Sequence, residues 1–465
     1  MTEEKETLTF DEVTEQVIQE ISSKHYMSAR NLLLACNEAD IAEILEEVAD
    51  TLGIEKTVAI FRMLPKDVSV EAFSFLDTDE QTAIIQAIND REISFILDEL
   101  DFDDKIDVLE ELPANIVDKI LMETPKEERH LINTFLNYPD DCAGTLMTPE
   151  YVSLQKEMTV KQALSQIRKV GIDSETIYTC YVKSEGRKLI GIISLRSLVL
   201  ADDDAIIEDL MNTDVVSVNV YDDQEDVAEV FKKYGYLAIP VVDSEHRIVG
   251  IITFDDILDV IEDEATEDIE RMAGVMSGDD AGDEYLDIPV INHVKNRLPW
   301  LIFLTVSAMI TGSIISAFQE VLSQVIILVS YLPLLMGSGG NSGSQAATLV
   351  IRGLAVGDIS TKDYAKVLWK EARISLIVGV ILSLFNMLKV VLIDQQPFMI
   401  GLTVGASQII IVFCAKILGG LLPIAAKKVG VDPALMASPM ISSISDMISV
   451  VTYMLMACMF LNITI

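Results

Sequence analysis

Asp446 lies 12 residues into the apolar run "ALMASPMISSISDMISVVTYMLMACMF". A carboxylate at membrane depth is expensive, so by default it faces a water-filled path or a partner. Ser438, Ser442, Ser445 and Ser449 recur around it at helical spacing, and Ser442 shares its face. An aspartate among small hydroxyl residues suits the wall of a cation path. The plainer readings are an ion pair with Lys416 and hydroxyls that merely hold helices together. A second polar feature, "GSGGNSGSQ" at 337–345, interrupts another apolar run. A phosphate or dinucleotide loop is a poor reading, because no βαβ unit surrounds it and no ribose-binding acid follows at a suitable distance. Kinked or non-helical backbone there, with Pro333, would free carbonyls and aim Asn341 and Gln345 at a hydrated ion. Gly339 and Gly343, four apart, also fit close helix packing. Oxygen-only donors favour a hard cation, and one carboxylate per chain suits Mg²⁺, which keeps most of its water. Six methionines of the last run (Met436, Met440, Met447, Met454, Met456, Met459) and Cys458 are what a soft Cu⁺ path would use; adaptable packing is the plainer reading.

These residues need membrane helices to hold them. Apolar stretches cover 298–318, 321–350, 374–393, 398–424 and 434–463, five segments each able to cross a bilayer. With the front half inside, the inner flanks hold Lys295 and Arg297, then Arg352, Lys362, Lys366, Lys370 and Arg373, then Lys427 and Lys428. The outer flanks hold Glu320, then Asp394, then "LNITI". This asymmetry predicts a cell-membrane protein with a cytoplasmic N-terminus and an extracytoplasmic C-terminus. Glu320, Asp358, Asp363, Glu371, Asp394 and Asp432 are expected in loops or at span ends, and Lys389 near enough to an end to snorkel.

Of 74 acidic and 34 basic side chains, only 7 and 11 follow residue 288, which leaves 67 and 23 before it. The front half is therefore very acidic. It would repel nucleic acid and attract divalent cations. Five cysteines show no paired spacing, and "MTEEKETLTF" lacks the apolar core of a signal peptide.

Residues 10–140 read as short amphipathic helices punctuated by Leu-Pro, with "EKTVAIFRMLP" and "DDKIDVLEELP" repeating at an offset of 48. Residues 146–272 hold a second duplication, "LMTPEYVSLQKEMTVKQALSQIRKVG" against "LMNTDVVSVNVYDDQEDVAEVFKKYG". Each copy reads strand, helix, two short strands, helix. The pattern resembles a pair of CBS (cystathionine-β-synthase) domains. Thr253 and Asp256 match the ribose-holding pattern of adenosine-binding modules, whereas the first copy has Ser194 but Ser197 in place of the acid, an incomplete nucleotide site. The helix "DDILDVIEDEATEDIERM" (255–272) then carries nine acids, five of them on one face. Such crowding destabilises a helix unless cations or partners offset it. It is either a solvated linker or a cation-sensitive lever.

Together "YLPLLMGSGGNSGSQAATLVIRGLA", "VDPALMASPMISSISD" and "DDILDVIEDEATEDI" resemble the MgtE magnesium channels and transporters over essentially the whole chain. The fold class expected is multidomain. An acidic α-helical superhelix (1–140) precedes tandem α/β CBS domains (141–256, as 141–204 and 205–256). An acidic connecting or plug helix and linker (257–288) leads to an all-α membrane domain with five spans (289–465). The resemblance implies a homodimer with a Mg²⁺-selective pore on its axis, lined by spans two and five. It places Asp446 and Asn341 in that pore and Asp432 at its cytoplasmic end. It implies Mg²⁺-sensing acids at Glu71, Asp103 and Asp107, at Glu225, Asp256 and Asp259, and at Glu264, Glu267 and Asp268, with Gly235 where a sensing acid can occur. An ATP site between CBS modules would use Arg196 and Tyr236 with Thr253. Cytosolic Mg²⁺ would close the pore by bridging acidic surfaces that otherwise repel. The alternatives are a carrier for Mn²⁺, Co²⁺ or Ni²⁺, a cation-coupled antiporter, or a membrane-anchored nucleotide sensor. No nucleophile–base set points to an enzyme.

Overall fold

The computed structural model describes residues 9–276, 285–286, 288–436 and 438–462. The readings of "MTEEKETLTF", of the linker part of 257–288 and of the "LNITI" end fall wholly or partly outside them. The chain forms two compact units, Met1–Ile261 and Glu262–Ile465.

The first unit begins with short helices running from α1 (Phe10–Ser22) to α10 (Lys126–Phe135). Among them α4 (Ile54–Phe61) and α8 (Phe102–Glu111) are the corresponding members of the 48-residue repeat. Pro65, Pro113 and Pro125 each precede the next helix (α5, Lys66–Ser74; α9, Ala114–Glu123; α10). Proline cannot continue the preceding helix, yet its fixed φ suits the start of a new one. Two three-stranded sheets follow. In the first, β1 (Tyr151–Gln155) pairs parallel with β2 (Thr176–Lys183), and β2 pairs antiparallel with β3 (Leu189–Ser194). The second repeats this with β4 (Val218–Asn219), β5 (Ala238–Val242) and β6 (Ile248–Thr253). The intervening helices are α11 (Val160–Val170), α12 (Leu195–Leu200), α13 (Ile207–Leu210) and α14 (Gln224–Tyr234). The repeats exchange their leading segments. Thr148 bridges to Ile251 of the second sheet, and Asn212 to Ile192 of the first. The "LM" of each copy lies over the glycine of the other. A Cβ on Gly250 would meet Met147 Sδ at 2.8 Å, and one on Gly191 would meet Met211 Sδ at 2.8 Å. After β6, α15 (Phe254–Ala273) runs on from the second repeat into the acidic stretch as one helix.

The second unit is helical: α16 (Val290–Ala317), α17 (Gln319–Gln324), a 3₁₀ turn (Ile326–Tyr331), α18 (Leu332–Ala355), α19 (Tyr364–Leu388), α20 (Phe398–Lys428) and α21 (Ser438–Leu461). Among the described residues four segments are long and apolar enough to cross a membrane: Val290–Ala317, Thr361–Ile393, Phe398–Lys428 and Pro433–Leu461. The glycine run dilutes α18, which is nonetheless 24 residues long. Two expectations about this segment are corrected. The glycine run is not broken or kinked out of the helix, because α18 passes through 337–345 without interruption. The irregular backbone lies earlier, in the 3₁₀ turn, and Pro333 sits in the first turn of α18 rather than in mid-span. The first turn is where a missing N–H costs nothing.

Glycine in a helix costs about 1 kcal/mol relative to alanine. The offset is close packing, since α18 lies against both α20 and α21. A Cβ on Gly339 would meet Ser449 Oγ at 2.7 Å, one on Gly343 would meet Ile441 Cγ2 at 2.6 Å, and one on Gly419 would reach the Gly343 carbonyl oxygen at 2.2 Å. That last obstacle is backbone, which cannot rotate away. Gly419→Ala is therefore expected to destabilise the purified protein by roughly 1–3 kcal/mol, the usual cost of overpacking, read as a lowered thermal midpoint in detergent. A midpoint equal to that of the parent would show that α18 and α20 are not locked here.

Candidate functional site

The polar residues singled out in the membrane segments lie on α18 and α21. Ser442 sits against Gly340, where a Cβ would be 3.2 Å from its Oγ, and its hydroxyl is 3.4 Å from that of Ser344. Asp446 follows one turn later on the same face and is half-buried. Among the described residues it makes no hydrogen bond or ion pair. Asn341 and Gln345 belong to an exposed stripe of α18 with Pro333 and Gly337, opposite the glycines that meet α20 and α21. The ion pair considered for Asp446 does not form. Lys416, 5% exposed on α20, instead bears electrostatically on Glu371 of α19. Glu371 is itself 6% exposed, which corrects its placement in a loop or at a span end. Lys389 also has a partner. It pairs with Asp394 at 2.7 Å, and the Tyr331 hydroxyl donates to the same carboxylate at 2.9 Å, fixing the backbone just before α18.

Asp432 lies ahead of α21, where one oxygen accepts the Ala434 N–H at 2.7 Å and so caps the 3₁₀ turn Pro433–Met436. Its other oxygen accepts from Arg271 Nη1 at 2.7 Å. Arg271 also pairs with Glu267 one turn back on α15. Asp268 adjoins the group, and burial, then the Asp432 charge, push its carboxyl above the usual range. Thus Glu267, Asp268 and Asp432, singled out from sequence, come together, with Glu264 contributing to the field at Arg271. Arg271 was not singled out, although it is the lone base among the nine acids of 255–272.

In the first unit, Asp103 on α8 and Asp256 at the start of α15 share one acidic field with Asp104 and Glu175. Burial, then Asp256, push Asp103 up to about 9. Burial, with Asp101 next, raises Asp104 to about 7 and Glu175 to about 7. Asp101, Glu150 and Glu175 bring one carboxylate oxygen each within 4.8 Å of one another, a set of oxygen donors suited to a hard cation. Sequence reasoning missed these three. Glu150 and Glu175 meet because β1 and β2 are parallel neighbours, with the Glu175 N–H donating to the Glu150 carbonyl at 2.8 Å. Asp107 and Asp259 are exposed one turn beyond Asp103 and Asp256, whereas Glu71 on α5 and Glu225 on α14 are exposed on other helices. Gly235 caps α14 at φ 65°, a left-handed position where glycine is the commonest residue.

Of the nucleotide candidates, Tyr236 lines a cavity of 280 Å³ with Tyr178, Ser194 and Pro240. Arg196 lines an adjoining cleft that also includes Tyr178 and Ser194. Thr253 lines neither, and its hydroxyl donates to Asp256.

Family models match along the chain: the MgtE intracellular N domain at residues 36–141, the CBS domain at 143–204 and 207–263, and a divalent cation transporter model, MgtE, at 332–456. The magnesium transporter MgtE of Thermus thermophilus is 37% identical, over 93% of this chain and 98% of that relative. This chain belongs to the MgtE family. The MgtE of Bacillus subtilis is 30% identical over 98% of this chain and 99% of its own length. A crystal structure of the soluble part of a magnesium transporter is 31% identical with a TM-score of 0.50, covering 55% of this chain and 100% of that one. The MgtE family is one of transporters and not of enzymes.

The acidic cluster makes a pH prediction. Carboxyls raised in the folded unit above their unfolded value of about 4 add stability that is complete below that pH. This stability is lost as pH rises through about 7 for Asp104 and Glu175 and about 9 for Asp103. In chelator, protease resistance of the first unit of the full chain should fall from pH 6 to pH 9. Added Mg²⁺ should restore it more at pH 9, because metal and protons compete. Equal resistance across that range would separate the cluster from folding.

Proposed function

We propose that this chain mediates Mg²⁺ uptake across the cell membrane as a channel or transporter, with a cytoplasmic N-terminus and an extracytoplasmic C-terminus. The observation that carries the reading is Asp446, a carboxylate without an ion-pair partner among the described residues, one turn from Ser442 on a helix packed against the glycine face of α18. In an MgtE-family chain this arrangement serves as a cation path. α18 is the second span in chain order and, with the four more apolar segments, makes five. Its exposed Asn341–Gln345 stripe is polar, so a second copy covers it, and the pore runs on the axis of a homodimer between spans two and five. Each Asp446 then meets its symmetry mate's across the path. A pair of carboxylates suits an ion that keeps most of its water, which favours Mg²⁺. Asp432 and Asn341 would meet the ion along the same path.

Regulation follows from the acids of the first unit. Asp103, Asp107, Asp256 and Asp259, with Asp101, Glu150 and Glu175, hold oxygen donors that repel one another. Bound Mg²⁺ would supply the charge that offsets this repulsion and favour the compact, closed state. Glu71 and Glu225 would extend the set, and Glu264, Glu267 and Asp268 of α15 would carry the response to the path. Closure is a population shift limited by the difference in ion affinity between the two states. A nucleotide reading rests on the cavity beside Tyr236 and the cleft beside Arg196, which suit an adenine ring and a phosphate, while Thr253 serves Asp256 instead.

Asp446→Asn keeps the size and removes the charge. Mg²⁺ flux into proteoliposomes should fall more than about tenfold, the effect of losing little over 1 kcal/mol at the barrier, while the oligomer purifies unchanged. Flux equal to the parent would remove Asp446 from the path, and preferential Mn²⁺ or Co²⁺ flux in the parent would favour a broader divalent carrier.

A further inference from the structure

Arg271 does something the acids around it cannot. Its guanidinium spans two carboxylates, donating from Nη1 to Asp432 at 2.7 Å and pairing through Nη2 with Glu267. The group is partly enclosed, with side-chain exposures of 34% for Arg271 and 26% for Asp432. The end of α15 is seated around it. Met272 packs with Ala347 and Ile351 of α18 and Ile441 of α21. The Met276 N–H donates to the Asn296 carbonyl at 2.9 Å, and Gly274, at φ 75°, lies against the Trp300 ring. A guanidinium keeps its charge at any physiological pH and matches carboxylates with a rigid fork. Both oxygens of Asp432 are engaged, one by Arg271 and one by the Ala434 N–H. An ion approaching that carboxylate has to displace the arginine.

We infer that Arg271 is a tethered cation that occupies Asp432 and holds the path shut independently of bound Mg²⁺. This rests on the reading of the chain as a Mg²⁺ path closed by cytosolic Mg²⁺. It adds to that reading a closing contact that no ion supplies. The acids of α15 would respond to the Mg²⁺ concentration, whereas Arg271 would set a constant bias toward closure.

The test measures Mg²⁺ flux through the full-length chain while cytosolic-side Mg²⁺ is varied, in the parent and in Arg271→Met, which keeps the length of the stem. The variant should conduct at least as well as the parent at low Mg²⁺, need at least about fivefold more Mg²⁺ to close, the lower end of typical coupling effects, and leak at saturating Mg²⁺. Arg271→Lys, which keeps the charge without the fork, should lie between. Thermal stability of the detergent-purified variants separates this shift from a merely structural loss. Arg271→Gln makes the same measurement should the methionine variant not assemble. An unchanged half-closing concentration with no leak overturns the latch and leaves the transport reading standing. Absence of flux in the parent overturns the transport reading instead.

Discussion

The second unit depends on two backbones in contact. Gly343 of α18 and Gly419 of α20 approach so closely that a single methyl group has no room between them. Without that contact α18 would stand farther from α20 and α21, and the serines of α21 would lose their seats against Gly339, Gly340 and Gly343. Because the glycines occupy the inward face of α18, the side chains a quarter-turn or more away, Asn341 and Gln345, are left on the uncovered face. The polar face of α18 is thus a consequence of where Cβ atoms are missing. In lipid, apolar burial gives helices little reason to associate, and close van der Waals contact of this kind takes its place.

The first unit works by the opposite logic. Apolar burial drives α8 into place: Phe102 is 4% exposed and Ile106 1%, with Phe102 edge-on to Phe135 at 4.8 Å. Asp103 and Asp104 lie between these two positions and are carried inward with them. The core therefore drags carboxylates toward Asp256, Glu175 and Asp101, where burial and mutual repulsion raise them. Apolar contacts around α8 favour the compact form, and repulsion among these acids opposes it. An assembly balanced in this way responds to small additions of positive charge, because only the opposing contribution changes.

Much of this was legible in the sequence, where local patterns decide the outcome. The charge asymmetry marks the two halves. Both duplications appear in the fold, and Asp446 with Ser442 is a matter of helical spacing on α21. The glycine run was ambiguous because the same residues serve kinks and close packing, and only the partner helix decides. What escaped is set by pairing at a distance. Glu150 meets Glu175 through a parallel strand register, Glu371 lies in the field of Lys416 from a neighbouring helix, and the "LM" of each repeat crosses to the other sheet. Arg271 was visible as a lone base, but nothing local ties it to Asp432, 161 residues away.

A tethered and a diffusible cation bias a two-state equilibrium differently. In the proposed mechanism each Mg²⁺ bound more tightly by the closed form adds a concentration-dependent contribution, so the number of carboxylate sites determines how steeply closure responds. Moving from 1:99 to 99:1 takes about 5.5 kcal/mol of differential binding, which in that mechanism the carboxylates of several helices would share. In the same proposal the Arg271–Asp432 pair would add a bias that needs no bound Mg²⁺. It would shift the midpoint of closure and leave the slope to the acids. A chain with many weak sensing acids and one fixed ion pair can therefore alter its set point by one substitution without rebuilding its sensor.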